Sequence, residues 1–500
     1  MIDLKTILHR LTEYQYWTWW LLGLTLVLRL FHLGAWSFWE DEALTILLAR
    51  QPVSALIAII TAADVHPPLY FLLVKAFMLF GQSEFIIRLP SALCSTGAVL
   101  TLYLIGRDLF DEQVGLVGAL LMTISPLQLF YAQEARVYAQ LLLFTGLSSW
   151  AFIRALDSHS NRWWGLFIVS TILVCYTAYF AFPVVLAMAL YVLLIDRRWK
   201  SIWRFGLSMA VIAGLYLPWL GVLFFQTRSV LASFWIEPAH PLILLTTLSG
   251  FFVGISLPAF WIAVSLAVTL MIIFVVLNNV RHALAQGSHD SQALIWLLLW
   301  AFVPLLGIYF VSLVRPIFQL RTVITASLPI YLLVSWGLVR VPRKRLNQWL
   351  FLPTLIVMVI SLFNFYFDPA YAKPAWREAA AYVREHAQPN DIGIHTSDGS
   401  FLPFLAYAPN IEHVRLLQDS ANAPDNSRPQ AIIMAITSSR QSAEEATQGR
   451  QRAWLIIGLD RDIEYQLSQK EYFDHQYSLL NEAEVGAVYI FEYTLDKKSH

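Results

Sequence analysis

The sequence predicts a polytopic α-helical membrane protein of about eleven spans that ends in a small α/β domain outside the membrane. Three observations predict it. Of the 500 residues, 58% are hydrophobic and 14% charged, against about 45–50% and about 25% in soluble domains. Apolar runs, several of them long enough to span a bilayer, recur from residue 17 to residue 367. After Asp368 the pattern turns to the mixed polar and apolar one of a soluble domain. The formal net charge is zero, which offers no polarity for nucleic acid.

The elements follow in order. Lys5, His9 and Arg10 precede a run at 17–33. That run is long for a signal-peptide core and no small-x-small cleavage site follows it, so it reads as an uncleaved first span with a cytoplasmic N-terminus. Further runs lie near 67–80, 89–106, 114–131, 138–156, 163–180, 182–195, 205–225, 259–277, 293–313, 319–339 and 350–367. The basic clusters RALDSHSNRW (154–163), DRRWKSIWR (196–204) and RVPRKR (340–345) belong in the cytoplasm by the positive-inside rule. Counting 67–80 as a span would put the first cluster outside. That run is short, opens with His66-Pro67-Pro68 and contains Lys75, so it reads as interfacial or re-entrant.

Eleven spans remain, and every basic cluster then lies inside. Residues 34–88 become one external loop with an amphipathic stretch at 43–60. The segments 131–139 and 226–258, and everything past 367, are external too. No repeat of fixed period is visible. Cys94 and Cys175 sit within apolar runs and read as packed small hydrophobes. Two domains result, a membrane domain at 1–367 and an extracytoplasmic α/β domain at 368–500. In the second, WREAAAYVREHAQPND reads as an amphipathic helix with Trp376, Ala379, Ala380, Val383 and Ala387 on one face. DIGIHTS, RAWLIIGLD and GAVYIFEYT read as strands, with IEYQLSQKEYF a helix between the last two.

Charges near the outer face of the spans are the candidates for chemistry, because a charge kept at a membrane usually faces a polar cavity. WSFWEDEALTI (36–46) sets Glu40, Asp41 and Glu42 side by side. One carboxylate can take the proton of an acceptor hydroxyl, and a second can orient it or help hold a divalent metal. The same acids also suit a helix start, where they favour the dipole. In ADVHPPLYF, Asp64 and His66 flank a stiff turn, and His66 can bind phosphate or shuttle a proton. SPLQLFYAQEARVYAQ carries Glu134, Arg136 and Tyr138. Arg136 offers a planar fork to phosphate, and a plain Glu–Arg ion pair is the competing reading. Arg88 and Arg321 stand at the outer starts of spans, where they bind phosphate or snorkel to head groups. Arg29, inside the first span, has the same two readings. Acids beside cations at one external face suit transfer of a sugar from a polyprenyl phosphate to an acceptor hydroxyl.

At these residues the chain resembles the GT-C superfamily of glycosyltransferases. More closely, it resembles the bacterial branch related to protein O-mannosyltransferases and to the lipid A aminoarabinose transferase. The likeness rests on WEDEALT, HPPLYFLLVKAF, SEFIIRLPSAL, SPLQLFYAQEARVYAQ, the YTAYFAF turn (176–182) and RTVITASLPIYLL, over roughly residues 15–340, with WREAAAYVREHAQPND similar as well.

The resemblance implies that Asp41 is the catalytic base, with Glu42 and Glu134 as the further acids of the site. It places Arg88, Arg136 and Arg321 near the donor phosphate, and His66 and Tyr138, singled out by their own motifs, are expected on the same side. It also implies a polyprenyl-phosphate sugar as donor substrate, and non-spanning helices in the first external loop. The expected home is the bacterial inner membrane, among membrane lipids. Some relatives have a lysine where this chain has His66, and many have a tyrosine where it has Glu40. The 226–258 loop is too short for the large inserted domain of the protein O-mannosyltransferases, so a lipid or glycan acceptor is expected ahead of a protein. The competing class is a transporter or lipid flippase, which predicts midplane charges and related halves. Metal dependence stays open.

Overall fold

The computed structural model describes residues 4–158, 160–232, 236, 238–340, 344–416, 440–458 and 463–497. His159 of the first basic cluster, residues 341–343 of the RVPRKR cluster and the last two residues of RAWLIIGLD lie outside them. The chain divides into two compact units. One comprises Met1–His32, His66–Tyr70 and Arg88–Tyr371, the other Leu33–Val65, Phe71–Ile87 and Ala372–His500.

The first unit is helical. Among the described residues, six helices are long and apolar enough to cross a membrane: Glu84–Leu109, Tyr138–Ser158, Tyr179–Asp196, Trp199–Arg228, Ala259–Ala285 and Ser291–Ser312. The first rises about 39 Å at 1.5 Å per residue, against a hydrocarbon layer of about 30 Å. Shorter apolar helices at Asn161–Cys175, Ile324–Arg340 and Leu352–Phe367 carry three more of the apolar runs. The run at 17–33 falls largely on the helix Leu4–Leu30.

The run at 114–131 is not one straight helix. Glu112–Ile124 and Pro126–Ala132 meet at an angle of 65°, and counted together they make a seventh candidate span. The cause is local. Pro126 has no N–H to continue the ladder, and Ser125 caps the new helix by accepting from Gln128 N–H. The carbonyls stranded at the end of the first half are met by Arg29. Its guanidinium donates to Thr123 O and Met122 O at 3.4 Å each, and to Ser95 Oγ at 2.7 Å. Arg29 is fully buried, so it closes a helix end rather than snorkelling to lipid.

The segment 226–258 also contains a helix, Leu242–Val253. Phe251 O accepts from Ser125 Oγ, at 2.8 Å, and from the Tyr331 hydroxyl. Gly254 ends that helix with φ +65°, and a Cβ there would stand 3.0 Å from Leu127 N. Positive φ and close approach to a neighbouring backbone both require glycine.

The second unit joins the loop helices to the α/β fold. Glu40–Arg50, Val53–Ala63 and Leu69–Phe77 run 11, 11 and 9 residues, about half the length needed to span. Pro52 interrupts the amphipathic stretch and separates the first two. The sheet has strands β1 (Ile392–His395), β2 (Glu412–Leu416), β3 (Arg440–Gln441), β4 (Arg452–Ile457), β5 (Tyr477–Val485) and β6 (Val488–Lys497). Their order is β3-β2-β1-β4-β6-β5. The first four are parallel and the last hairpin is antiparallel.

One face of the sheet packs Ile392, Ile394, Val414, Leu455 and Tyr493 with Phe473. The other packs Trp454 and Ile490 against Trp376, Ala379, Ala380 and Val383 of the helix Trp376–His386. The apolar face expected of that helix is therefore the buried one, and Ala387 is its C-cap. The helix Asp398–Tyr407, which the sequence pattern did not reveal, packs Phe401, Leu402 and Ala406 against Ala43 and Leu47 of Glu40–Arg50.

Candidate active site

In the second unit the three acids fill the first turn of Glu40–Arg50. The helix-start reading of the triplet is thus correct as geometry, and the positive end of the helix dipole favours them. Both ends of this helix are tied down. At its C-terminus Lys75 Nζ donates to Ala49 O at 3.1 Å and to Gln51 O at 2.8 Å. The lysine that argued against a span is thus a cap for the acid-bearing helix.

The segment leading into the acids is held as firmly. Phe38 N–H donates to the Tyr407 hydroxyl at 2.7 Å, and that hydroxyl donates to Glu84 Oε1 at 2.7 Å. Ser37 Oγ donates to Glu378 Oε2 at 3.0 Å, and Arg377 bridges Glu84 and Glu378 at 3.0 and 2.7 Å. With Arg377 and Ser37 as partners, the Glu378 carboxyl is held below its usual range although partial burial pushes it up.

Asp41 and Glu42 differ in setting. Glu42 is fully buried and Asp41 half-buried. Lys373 Nζ lies 2.8 Å from Glu42 Oε2 and 5.8 Å from the centroid of the Trp39 ring. Sequence reasoning missed Lys373. Its signal was a lone cation in AKPAW, just past the last apolar run.

In the first unit, His66, Arg88, Glu134, Arg136 and Tyr138 are all buried. The Glu134–Arg136 turn follows the bent helix pair directly. Gln133 anchors it, donating through Nε2 to Arg29 O at 3.1 Å and Phe31 O at 2.6 Å, at the end of the first helix. Arg136 N–H closes the turn onto Glu134 O at 2.8 Å. Ser91 Oγ reaches Arg136 O at 3.5 Å and shares a hydrogen bond with the Tyr70 hydroxyl at 2.7 Å. Arg88 is one turn before Ser91 on the same helix, so both lie on the side of the Glu134–Arg136 turn.

Tyr70 belongs to the HPPLY segment, where Leu69 N–H donates to Tyr176 O of the YTAYFAF turn at 3.2 Å. The Tyr138 ring lies 4.6 Å from that of Tyr131. The first unit thus draws four of the sequence motifs together. Arg321 is half-buried in an irregular stretch, its Nε donating to Gln319 Oε1 at 2.6 Å. The helical part of that run starts at Ile324, so Arg321 precedes the span rather than beginning it.

Among the described residues no group of three or more His, Cys, Asp or Glu is arranged to hold a metal ion, and Glu42 is engaged by a cation of the chain itself. The cysteines are buried and unbridged.

The chain is similar in fold to ArnT from Cupriavidus metallidurans. It covers 96% of its own length and 98% of the apo crystal structure of ArnT from Cupriavidus metallidurans, with a TM-score of 0.63 at 11% identity. For the same protein bound to undecaprenyl phosphate the figures are 95%, 98%, 0.64 and 10%. At that identity the likeness concerns the fold. Residues 65–221 match the family model of dolichyl-phosphate-mannose-protein mannosyltransferases, which takes in the HPP segment, Arg88, and the Glu134–Tyr138 turn.

Two curated relatives match shorter stretches. The undecaprenyl phosphate-α-4-amino-4-deoxy-L-arabinose arabinosyl transferase 2 of Pseudomonas fluorescens is 30% identical over 158 residues, 30% of this chain and 27% of that protein. The putative mannosyltransferase YkcB of Bacillus subtilis is 26% identical over 100 residues, 20% of this chain and 14% of that one. The matched segments are thus less than a third of either relative's length.

Proposed function

We propose that the protein is an integral inner-membrane glycosyltransferase that moves a sugar from a polyprenyl phosphate to an extracytoplasmic lipid or glycan. The observation that carries this reading is the likeness of nearly the whole chain to a fold solved with undecaprenyl phosphate bound. The buried cations Arg88 and Arg136 support it, since withdrawn arginines suit a phosphate whose charge grows during the reaction. Their neighbour in sequence motif, His66, and the more exposed Arg321 serve the same donor side.

Asp41 accepts the proton of the acceptor hydroxyl as its oxygen attacks the anomeric carbon. The bond from that carbon to the phosphate oxygen breaks, and the electron pair leaves with polyprenyl phosphate. A single displacement of this kind inverts the anomeric centre. Glu134 helps orient the reacting groups, and no step requires a metal.

The test is to incubate the purified full-length protein in liposomes with a panel of polyprenyl-phosphate sugars and envelope lipid or glycan acceptors. Release of free polyprenyl phosphate matched by glycosylated acceptor is expected for one donor. Movement of lipid-linked sugar across the bilayer with no release from any donor overturns the reading in favour of a flippase.

A further inference from the structure

Glu42 and Asp41 are adjacent on one helix turn, so their side chains point about 100° apart. Glu42 shares its buried face with Thr45, Ile46 and Ala49, and its carboxylate meets Lys373 at 2.8 Å. The Lys373 side chain is itself only 16% exposed. A lysine beside the first turn of a helix opposes the helix dipole, so helix stability does not account for it. A buried carboxylate does, because an ion withdrawn from water needs a partner. Pro369 and Pro374 stiffen the backbone around Lys373, and Trp39, the residue before the helix, lies under its ammonium. The arrangement fixes the rotation of the acid-bearing turn about its own axis.

We propose that Lys373 is a positioning residue for the reaction: by holding Glu42 inward it makes Asp41 the acid presented to the acceptor. The inference rests on the proposed role of Asp41. Glu42 then has a defined part, as the anchor of the turn rather than a second base. A segment beyond the last apolar helix thus contributes to the chemistry.

The experiment measures kcat and the donor KM of the full-length protein carrying K373M, K373R or the double change E42Q/K373M, with D41N alongside. Loss of the anchor is expected to lower kcat about 10–100-fold, the cost of a small misplacement of a reacting group, and to leave donor KM within about threefold. K373R recovers most of the loss. The double variant buries no lone charge, so it keeps the fold that a lone buried Glu42 strains in K373M, and its kcat is expected to be about 10–100-fold below wild type. Wild-type kcat in the double variant, or K373R no better than K373M, overturns the inference. Wild-type turnover in D41N removes the base assignment on which it rests. A dead D41N beside a double variant with wild-type kcat removes the inference alone.

Discussion

Acidification should loosen the α/β fold of the second unit through two histidines. His395, at the end of β1, and His413, on β2, are buried with their rings joined by a hydrogen bond of 3.1 Å between Nε2 and Nδ1. His413 Nε2 lies 2.9 Å from Ala408 O, so it is the donor there. Its Nδ1 is then the acceptor for His395 Nε2–H, and His395 Nδ1 faces Ser400 Oγ at 3.2 Å. The chain of bonds runs one way and is complete with both rings neutral. A proton added to His413 Nδ1 would set two N–H groups against each other.

Burial depresses His413 to about 4. Burial, with the neighbouring ring, takes His395 well below its usual value. Unfolded histidine titrates near 6.5. The unfolded state therefore binds more protons between those values, and stability is lost as the pH falls from about 6.5 towards 4. His413 alone accounts for about 3 kcal/mol over that window, and His395 acts in the same direction. The assay is hydrogen exchange of the β1 and β2 amides in full-length protein, corrected for intrinsic rates. Protection should fall by at least about fortyfold between pH 6.5 and 4.5 from His413 alone, and further through His395. In H395Q/H413Q, whose amides can replace the ring bonds without titrating, it should be nearly flat. Unchanged wild-type protection, or the same fall in the double variant, refutes the reasoning.

Three further outcomes follow from packing. Gly393 pairs with His413 across β1 and β2, and a Cβ there would stand 2.3 Å from His413 Nδ1, so G393A should lower the thermal midpoint and disturb the histidine chain. G254V should destabilise by well over about 1 kcal/mol, since it combines positive φ with a close neighbouring backbone, read by thermal unfolding in detergent. L402A removes a buried side chain that packs on the acid-bearing helix and should cost about 2–4 kcal/mol, with exchange rising at residues 40–50.

Much of this architecture was legible because hydropathy and charge placement act along the chain. Each of the eleven apolar runs lies largely on a helix or, at 112–132, on a bent pair. The run at 67–80, marked by Lys75 and the paired prolines, forms a short apolar helix, Leu69–Phe80. The missing parts depend on partners distant in sequence. The bend at Ser125 needs Arg29, nearly a hundred residues away, to meet its carbonyls. The helix Asp398–Tyr407 contains Pro403 and has no amphipathic stripe, since it is buried nearly all round. Lys373 was overlooked because its meaning lies in a carboxylate 331 residues earlier. The acid triplet stands out in the sequence, while the burial that separates Glu42 from Asp41 is a property of the folded helix.

The most direct test compares wild-type protein with D41N in release of polyprenyl phosphate from its preferred donor, in the presence of acceptor. The account predicts a fall of about 10²–10⁴-fold in kcat, the usual contribution of a general base, with the variant folded and donor KM little changed. D41N turning over within a few-fold of wild type would contradict it.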